Sequence, residues 1–441
     1  MDQAQPISAP DTAAAQNAGP ASASDAGMRQ QAPSAAHTPR LAVVTMGVKL
    51  GDETRGYTRF RFLAGFLAEQ GFQVDLITSS FQHWEKAQRD TSKACYRDLP
   101  YKVVFIHEPG YTRNLDLRRI RSHAQAAANL RAYFRQHAGA YDLIYSEIPP
   151  NDVARVCAES AHEQGIPYVA DINDLWPEAM RMVLDVPVVS DLLFHSFARD
   201  ARVVYRLLDA AVGTSDEYAA RPEADRMLPY ARATVYVGND LAAFDAGVAA
   251  YADQVEKPAG QVWAAYTGTL GASYDLETLV RASVPVAQAV PGFRVKILGD
   301  GPDGAKLERL ARSLHAPVDF LGYTDYPLMA AYLSKSDITV NSLVKSAPQS
   351  IVTKIGDYLA AGKPLVNTGS SPEFRAKVAA DGFGVNVEAE NLVELAAALE
   401  WLAQNPDQRA AMGLRARRVA EREFDQRHAY RKIVDLIRSL V

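Results

Sequence analysis

Two residues near the end of the chain, Lys354 and Asp357, have the types and the spacing to bind a charged ligand. They lie three residues apart in a stretch, 351–359, whose apolar residues recur at helical spacing, so both side chains should project from one side of a helix. Ser350 suits its N-cap and Gly362 its left-handed stop. A cation, a carboxylate and the N–H groups of a helix start suit a nucleotide diphosphate. The alternative is a surface ion pair.

Three glycine turns follow successive apolar runs in the C-terminal half. They contain, in order, Gly268, Thr269, Leu270 and Gly271; Gly299 and Gly301; and Gly322 and Tyr323. Glycines at strand ends let the backbone approach a ligand and leave N–H groups directed outward. The turns therefore predict one rim of one sheet and, with the Lys354 helix, one pocket; three unrelated turns are the alternative. No G-x-G-x-x-G opens a helix and no P-loop is present, so neither type of site is predicted.

Polar residues also follow an apolar run in the N-terminal half. Asn173, Asp174 and Glu178 come directly after residues 168–172, and Pro177 lies among them where it suits the first turn of a helix. Asp174 and Glu178 are predicted to face a cleft. The alternative is that Asp174 only caps the helix.

Arginines are concentrated in two segments of the N-terminal half. Arg55 and Arg59 lie where the first long helix opens, and an arginine there could bind an anionic group of a substrate; a solvated arginine is the alternative. Residues 111–136 contain six arginines and one acid. This second segment predicts either a solvated basic face or a contact with an anionic membrane surface.

Short apolar runs alternate with amphipathic segments from residue 40 onward, which predicts parallel strands joined by crossover helices. The predicted strands are residues 41–46, 74–78, 103–106, 143–145, 168–170, 211–213, 234–237, 263–267, 294–298, 318–321, 338–340, 365–367 and 384–387. The predicted helices include residues 57–70, 152–163 and 191–208. Gly71 and Gly165 follow two of these helices, in the usual place for a helix end.

The alternation weakens between residues 238 and 258, which indicates a domain boundary near residue 240. Residues 1–39 are rich in Ala, Ser, Pro and Gln and predict a disordered tail. Residues 40–240 and 241–423 each predict a Rossmann-like domain, and 424–441 predict a C-terminal helix. Two such α/β domains facing each other form a cleft, with ligands at the carboxyl ends of the strands.

Composition excludes several classes of protein. A net charge of −5 argues against general nucleic-acid binding. Cys95 and Cys157 lack metal-ligand spacing and indicate a reducing, cytoplasmic compartment. The nine histidines are scattered, so no metal site is predicted. The sequence contains no run of eighteen apolar residues, so no membrane span is predicted.

Taken together, these motifs resemble the retaining glycosyltransferases of family four. The resemblance rests on the three glycine turns, on residues 354–364 and on residues 174–178, and it runs in order from about residue 40 to the end. The sequence is most similar to the branch that builds bacterial surface polysaccharides, including N-acetyl-fucosamine transferases. This resemblance implies the GT-B fold, in which two facing Rossmann-like domains carry parallel sheets and a C-terminal helix crosses back to the first domain.

The resemblance also implies roles for individual residues. Tyr323 matches the position whose backbone binds the base, and Asp357 matches the second acid of the E-x7-E element, which binds the ribose; Gln349 stands where the first acid is usual. Lys354 lies near the diphosphate and is implied to stabilise the leaving group. The remaining matches are Gly268, Thr269, Leu270, Gly271, Gly299 and Gly301 near the donor, Asp174 as a catalytic cleft residue, and Gly56, Arg59, Asn173 and Glu178 near the acceptor or phosphate.

The implied reaction moves a sugar from a nucleotide-sugar, commonly a UDP-sugar, to a polyprenyl-diphosphate-linked or saccharide acceptor. The donor is a substrate, and no cofactor or metal is implied. The protein would act in the cytoplasm, with peripheral contact to the inner face of the membrane, and without nucleic acid. Two alternatives stay open: a nucleotide-sugar epimerase on the same fold, and a degenerate, non-catalytic scaffold.

Overall fold

Two separate parallel β-sheets organise the chain in the computed structural model, which describes residues 37–441 except 52, 54–57, 114–116, 179–186 and 348–350. The predicted tail therefore lies almost entirely outside the described residues. We call each sheet, with the helices packed on it, a lobe. The predicted α/β architecture with two parallel sheets is confirmed.

The first sheet has seven strands in the order β5-β2-β1-β6-β7-β8-β9, and every neighbouring pair is parallel. Its strands are β1 Arg40–Val44, β2 Gln73–Ser79, β5 Lys102–Ile106, β6 Leu143–Ile148, β7 Tyr168–Ile172, β8 Ala210–Gly213 and β9 Ala231–Thr234. A short antiparallel hairpin, β3 Phe81–Gln82 and β4 Ala87–Gln88, lies outside this sheet. Strands β2 and β5 lie on one side of β1, and the later strands, from β6 on, lie on its other side. The switch point between β1 and β6 is where ligands bind in open α/β sheets.

The second sheet has six parallel strands in the order β12-β11-β10-β13-β14-β15. Its strands are β10 Val262–Thr267, β11 Phe293–Leu298, β12 Val318–Gly322, β13 Ile338–Asn341, β14 Leu365–Asn367 and β15 Gly384–Asn386. Its switch point lies between β10 and β13. All six predicted strands of this half are confirmed to within two residues, because buried parallel strands are nearly continuous apolar runs.

Helices cover both faces of each sheet. Around the first sheet they are α1 Arg59–Glu69, α2 Leu117–Gln136, α3 Asn151–Gln164, α4 Pro187–Leu207 and α5 Asp216–Ala220. The following helices are α6 Leu241–Tyr251, α7 Leu276–Ala289, α8 Gly304–Ser313, α9 Tyr326–Lys335, α10 Ile355–Ala360, α11 Pro372–Asp381, α12 Leu392–Gln404, α13 Pro406–Val419, α14 Gln426–Ala429 and α15 Arg431–Arg438. Among the described residues, no helix is both long and apolar enough to cross a membrane.

One predicted strand is displaced. The sequence predicts a strand over residues 234–237, but β9 is Ala231–Thr234, so the apolar residues after it belong to the connection between the lobes. Their carbonyl groups are used by other partners: the Arg59 guanidinium donates to Val235 O at 3.3 Å and the Tyr430 hydroxyl donates to Val237 O at 2.9 Å. The apolar residues 235–237 therefore form a connection after the strand and are not part of the strand itself.

The end of the chain returns to the first lobe, as predicted. Helix α15 places Ile433, Val434 and Ile437 in the same apolar core as Leu41 and Leu63. Each of these side chains is essentially inaccessible to solvent, and burying one aliphatic side chain contributes about 1.5–3 kcal/mol. The final helix is therefore part of the first lobe's core.

Candidate functional site

The three glycine turns lie together at the carboxyl edge of the second sheet. The Gly268 amide donates to Leu298 O at 2.9 Å, and the Gly299 amide donates to Gly322 O at 2.7 Å. The Leu270 amide likewise donates to Asp300 O at 2.9 Å. These bonds join each turn to the next, so the three turns form one continuous rim.

The close packing of these turns explains two of their glycines. A Cβ atom on Gly299 would lie 1.9 Å from the Gly268 carbonyl oxygen, and one on Gly301 would lie 2.3 Å from the Leu270 carbonyl oxygen. Gly299 has φ +141°, in a region that L side chains rarely adopt. The sequence attributed these glycines to a ligand, but the structure shows that contacts between the turns already require them.

Not every N–H group of the first turn is directed outward. The Leu270 amide is used inside the rim and the Leu270 side chain is buried in the core. By contrast, the amides of Thr269 and Gly271 have no acceptor among the described residues, and Thr269 is exposed. These two amides are the ones available to an anion.

Lys354 lies beside this first turn. Its Nζ donates to the Tyr266 hydroxyl at 2.9 Å and is 4.1 Å and 3.8 Å from the ring centroids of Tyr266 and Tyr274. A Cβ atom on Gly268 would lie only 2.8 Å from this Nζ. The Tyr266 hydroxyl in turn donates to Thr269 O at 2.8 Å. Lysine and turn are therefore joined through one tyrosine.

The charge of Lys354 has no carboxylate partner among the described residues. The residue is only 8% exposed, and burial lowers the pKa of its ammonium well below the ordinary value. Aromatic faces attract a cation but do not neutralise it. A buried lysine of this kind is stabilised by an anion that binds next to it.

Asp357 faces a different set of partners. Its Oδ1 accepts hydrogen bonds from Asn239 Nδ2 at 3.0 Å and from the Tyr326 hydroxyl at 2.8 Å, while Oδ2 has no partner among the described residues. Burial raises the pKa of this carboxyl to about 6. Within the described part of the chain no ion pair joins Lys354 and Asp357, so the alternative of a surface ion pair is wrong.

The predicted helix around these residues is corrected. Helix α10 begins at Ile355 with Lys354 as its N-cap, and it has six residues, whereas residues 351–354 are not helical. Gly362 has the left-handed φ of +64° expected at the stop. The predicted N-cap Ser350 and the predicted donor residue Gln349 lie outside the described residues. Because Lys354 comes before the helix, its side chain turns toward the glycine rim.

Tyr323 directly follows β12 and is 61% exposed. It lies at the same sheet edge as Gly299, since Gly322 accepts the Gly299 amide. The assignment of its backbone to a nucleotide base stays a prediction.

In the first lobe, the predicted cleft residues follow strand β7. Asp174 accepts hydrogen bonds from the Leu175 amide at 2.8 Å and from Trp176 Nε1 at 3.1 Å, and burial raises its pKa. Asn173 donates to Asp171 O at 3.0 Å. Glu178 accepts from Arg221 Nη2 at 2.7 Å. All three positions lie at the carboxyl edge of the sheet; their catalytic and acceptor roles stay predictions.

Arg59 is a buried structural residue. It is 2% exposed, and its Nε and Nη2 bind the two oxygens of Asp171 at 3.1 Å each. Its Nη1 binds the Tyr430 hydroxyl at 3.1 Å. Because every side of the guanidinium is occupied, we assign Arg59 to the fold and not to a substrate. Arg55 and Gly56 lie outside the described residues.

Sequence reasoning missed a carboxyl group at the switch point of the first sheet. Glu147, near the end of β6, accepts the Thr45 hydroxyl at 2.6 Å, and burial raises its pKa to about 7. It is partly accessible. The signal was an acidic residue inside an apolar strand, which is unusual unless the strand end forms a site.

The arginine-rich segment forms helix α2, and its side chains have different surroundings. Arg131 pairs with Glu159, whereas Arg118, Arg121 and Arg135 are exposed. Arg119 lies over the ring of Tyr111. The exposed positions are compatible with both predicted explanations, so membrane contact stays a prediction.

A known family of proteins matches the second lobe of the chain. Residues 262–405 match the family model described as glycosyl transferases group 1. The match runs from β10 through α12 and contains the glycine rim, Lys354 and Asp357.

One curated relative is the GDP-mannose-dependent monoacylated alpha-(1-6)-phosphatidylinositol monomannoside mannosyltransferase of Corynebacterium glutamicum, 27% identical over 169 residues. The alignment covers 37% of this chain and 43% of the relative. The chain thus spans less than half the length of the curated relative that it matches.

Solved structures match nearly the whole chain. Sucrose-phosphate synthase from Thermosynechococcus elongatus has a TM-score of 0.70 at 19% identity, covering 91% of this chain and 99% of that one. Anabaena HepE in complex with UDP has a TM-score of 0.66 at 17% identity, covering 91% of this chain and 100% of that one. These neighbours have the GT-B fold, so the predicted GT-B architecture is confirmed.

Proposed function

We propose that this protein is a glycosyltransferase whose second lobe binds a nucleotide-sugar donor. The observation that carries the proposal is the buried Lys354 ammonium, which lies against the Gly268 turn with no carboxylate partner among the described residues. The group 1 family match over residues 262–405 supports the same conclusion. A diphosphate on this turn would supply the missing negative charge.

We propose one placement for the three parts of the donor. The diphosphate lies between Lys354 Nζ and the amides of Thr269 and Gly271, the ribose hydroxyls donate to the Oδ2 atom of Asp357, and the base reaches Tyr323. Lys354 is joined to the Gly268 turn through Tyr266, and Asp357 accepts a hydrogen bond from Tyr326, which follows Tyr323 closely in the chain. All of these groups lie at the carboxyl edge of the sheet, where ligands of such sheets bind. The proposal assigns the diphosphate to Lys354 and the two amides and includes no metal or cofactor.

The reaction we propose is transfer with retention of configuration. The bond between the sugar and the diphosphate breaks, and negative charge develops on the leaving phosphate, where Lys354 and the two amides stabilise it. The acceptor hydroxyl attacks from the same face and passes its proton to that phosphate. Asp174, in the opposite lobe, positions the acceptor or the sugar. Closure of the cleft excludes water and aligns the two substrates.

We propose UDP as the nucleotide, because Anabaena HepE has been solved with UDP and with UDP-glucose. The name of the corynebacterial relative specifies GDP-mannose and a lipid acceptor, so GDP is the nucleotide to compare. The proposed acceptor is a polyprenyl-diphosphate-linked or saccharide substrate of bacterial polysaccharide synthesis, reached on the cytoplasmic face of the membrane. An N-acetyl-fucosamine-type sugar is the proposed donor sugar.

The test combines binding with turnover. Calorimetry with UDP and GDP should show one site with a preference for UDP, and a panel of UDP-sugars with a polyprenyl-diphosphate-linked sugar should give a product with the donor's anomeric configuration. Lys354→Ala should lower kcat on the order of 100-fold, because it removes charge stabilisation of the leaving group.

The matched control is Lys102→Ala, which removes an exposed lysine from the edge strand β5 of the other lobe. We expect it to behave like the wild type. Absence of UDP binding at saturating concentration, or near-normal transfer by Lys354→Ala, would contradict the proposal.

A further inference from the structure

Asn239 lies in the segment that connects the two lobes, between β9 and α6. Its backbone amide donates to Phe424 O at 2.9 Å, and its carbonyl oxygen accepts the Gln426 amide at 3.0 Å. Phe424 and Gln426 belong to the segment that returns to the first lobe ahead of α15. Asn239 is therefore fixed where the chain leaves the first lobe and, at the same time, where it comes back.

Helix α10, which carries Asp357, packs directly against this connection. A Cβ atom on Gly356 would lie 3.1 Å from the Gly238 carbonyl carbon and 3.2 Å from the Asn239 nitrogen. A Cβ atom on Gly238 would lie 2.1 Å from Phe424 O. Backbones can approach this closely only where there is no side chain. The helix, the connection and the returning segment therefore meet, and backbone contacts fix the position of Asn239 relative to Asp357.

The side chain of Asn239 uses only its donor end. Its Nδ2 donates to Asp357 Oδ1 at 3.0 Å and lies 3.4 Å from the Tyr326 hydroxyl. An ionised carboxylate only accepts hydrogen bonds, so the amide nitrogen and not the amide oxygen must face Asp357. The amide oxygen, Oδ1, is buried and has no partner among the described residues. The whole residue is only 7% exposed.

This unpartnered oxygen indicates what the residue is for. A buried amide oxygen without a hydrogen bond destabilises the folded state, and an apolar side chain of similar shape, such as leucine, would avoid that cost. Local features that lower stability are typical of functional sites. We therefore assign the role of Asn239 to its donor end, which is the end that contacts Asp357.

Donation by Asn239 has two effects on Asp357. Together with the Tyr326 hydroxyl, at 2.8 Å, it occupies Oδ1 and leaves Oδ2 for a ligand. Burial raises the pKa of the carboxyl to about 6, and the hydrogen bonds from Tyr326 and Asn239 oppose that rise. Nearby titratable groups are the Asp240 carboxylate, close to Tyr326, and the hydroxyls of Tyr326 and Tyr358. Burial raises the pKa of both tyrosines, so they keep their protons at neutral pH.

We propose that Asn239 is a positioning residue for donor binding, whose amide holds the Asp357 carboxylate in the orientation and the charge state in which Oδ2 binds ribose. The proposal rests on the proposed function for its ligand, a nucleotide-sugar. Asn239 does not itself contact the donor; it acts through Asp357. Because its backbone is bonded to the returning segment, the ribose contact is anchored to both segments that join the lobes.

Calorimetry with UDP at a series of pH values tests this role. Asn239→Leu removes the donor and the unpartnered oxygen together, so the urea midpoint of the ligand-free protein should stay close to that of the wild type. Its UDP affinity at pH 7 should fall about 10-fold, the value of one hydrogen bond to a charged group. The pH below which affinity declines should rise by about one unit above the wild-type value of about 6, because the carboxyl loses a donor.

Turnover and a double variant separate positioning from a structural role. In Asn239→Leu the donor KM should rise while kcat changes little, because the ribose contact is the same before and during the reaction. Adding Asn239→Leu to Asp357→Asn should cause no further loss of UDP affinity, because Asn239 acts through the carboxylate.

The matched control is Asn151→Leu in the first lobe. Asn151 is also a buried asparagine whose Nδ2 donates, to Trp176 O at 2.9 Å, while its Oδ1 has no partner among the described residues. The control variant should keep the wild-type UDP affinity and the wild-type pH dependence of that affinity. Asn239→Ala removes the same hydrogen bond as Asn239→Leu without adding apolar volume, and it should show the same shift if the leucine variant does not fold.

Unchanged UDP affinity and an unchanged pH profile in the folded Asn239 variants would overturn the proposal. Additive losses in the double variant, or an equal loss in Asn151→Leu, would overturn it as well. If the wild type does not bind UDP, the proposed function fails. The pKa of Asp357 can then be followed by NMR of its carboxyl carbon in the ligand-free protein. A higher pKa in Asn239→Leu would support control of Asp357 by Asn239, and an unchanged pKa would reject it.

Discussion

Replacing Lys354 with methionine should stabilise the ligand-free protein while removing its response to UDP. In the wild type, burial lowers the pKa of the Lys354 ammonium well below 10.5. Each unit of lowering costs the folded state about 1.4 kcal/mol at neutral pH, because the unfolded chain keeps its proton there. Methionine removes this cost, and its thioether packs well against the rings of Tyr266 and Tyr274. A gain of about 1–2 kcal/mol would raise the unfolding temperature by about 2–8 °C for a lobe of this size.

The pH dependence of folding stability tests independently whether the buried Lys354 ammonium destabilises the folded protein. The folded pKa of Lys354 is below its unfolded pKa, so between these two values the unfolded chain binds more protons. Wild-type stability should therefore rise with pH across that window, up to about 10.4. The variant has no such group at this position, so its advantage over the wild type should shrink as pH rises toward 10.4.

The UDP response can be estimated from mass action. At a UDP concentration 100 times Kd, binding stabilises the wild type by about 2.7 kcal/mol. Loss of a buried charge pair costs at least about 2 kcal/mol, a 30-fold rise in Kd, which leaves about 0.9 kcal/mol of stabilisation at the same concentration. Differential scanning fluorimetry with and without UDP measures both quantities. A variant that is less stable without UDP and equally stabilised by it would refute the reasoning, since Lys354 would then be only a packing residue.

Three further substitutions test other parts of the structure. In the wild type, UDP affinity should fall up to about tenfold for each pH unit below about 6, because protonated Asp357 accepts hydrogen bonds from the ribose hydroxyls less well. Calorimetry on Asp357→Asn should show a UDP affinity that does not change with pH over this range. If the affinity of the variant falls with pH as the wild-type affinity does, ribose binding by Asp357 is rejected. Gly299→Ala should lower the free energy of unfolding by about 3 kcal/mol, because its Cβ would overlap the Gly268 carbonyl oxygen; an unchanged urea midpoint would disprove the packing of the turns. Arg59→Gln should lower the free energy of unfolding by about 3–5 kcal/mol, because Asp171 would stay buried without its cation. Adding Asp171→Asn should restore part of that stability. An Arg59→Gln variant with normal stability and a raised substrate KM would show instead that Arg59 binds substrate.

The sequence predicted the sheets well because their signal is local. Each buried parallel strand is a short apolar run, and the rim glycines follow three such runs directly in the chain. The one displaced strand, β9, shows the limit of this signal. Residues 235–237 are as apolar as a strand, and only the tertiary contacts of Arg59 and Tyr430 determine that they form a connection.

The partners of the site residues could not be predicted in the same way. Asp357 is held by Asn239, which is 118 residues earlier in the chain. The Tyr266 ring that contacts Lys354 is 88 residues away, and its apolar strand gave it the pattern of a core residue. Arg59 lies in a segment whose residue types suggest an anion site, yet its partner Asp171 is 112 residues away and is buried. Sequence spacing identifies which residue types are near a strand end, but it does not say which of them the fold uses internally.

The return of the last helix has a consequence for how the chain folds during synthesis. The first lobe contains the earliest described strand, β1, yet its core also needs Tyr430, Ile433 and Ile437. Domains usually fold in turn as they leave the ribosome, but here the earlier lobe keeps an apolar face uncovered until the later lobe has emerged. We therefore expect nascent chains stalled before residue 426 to be protease-sensitive in the first lobe, and chaperones to bind that face.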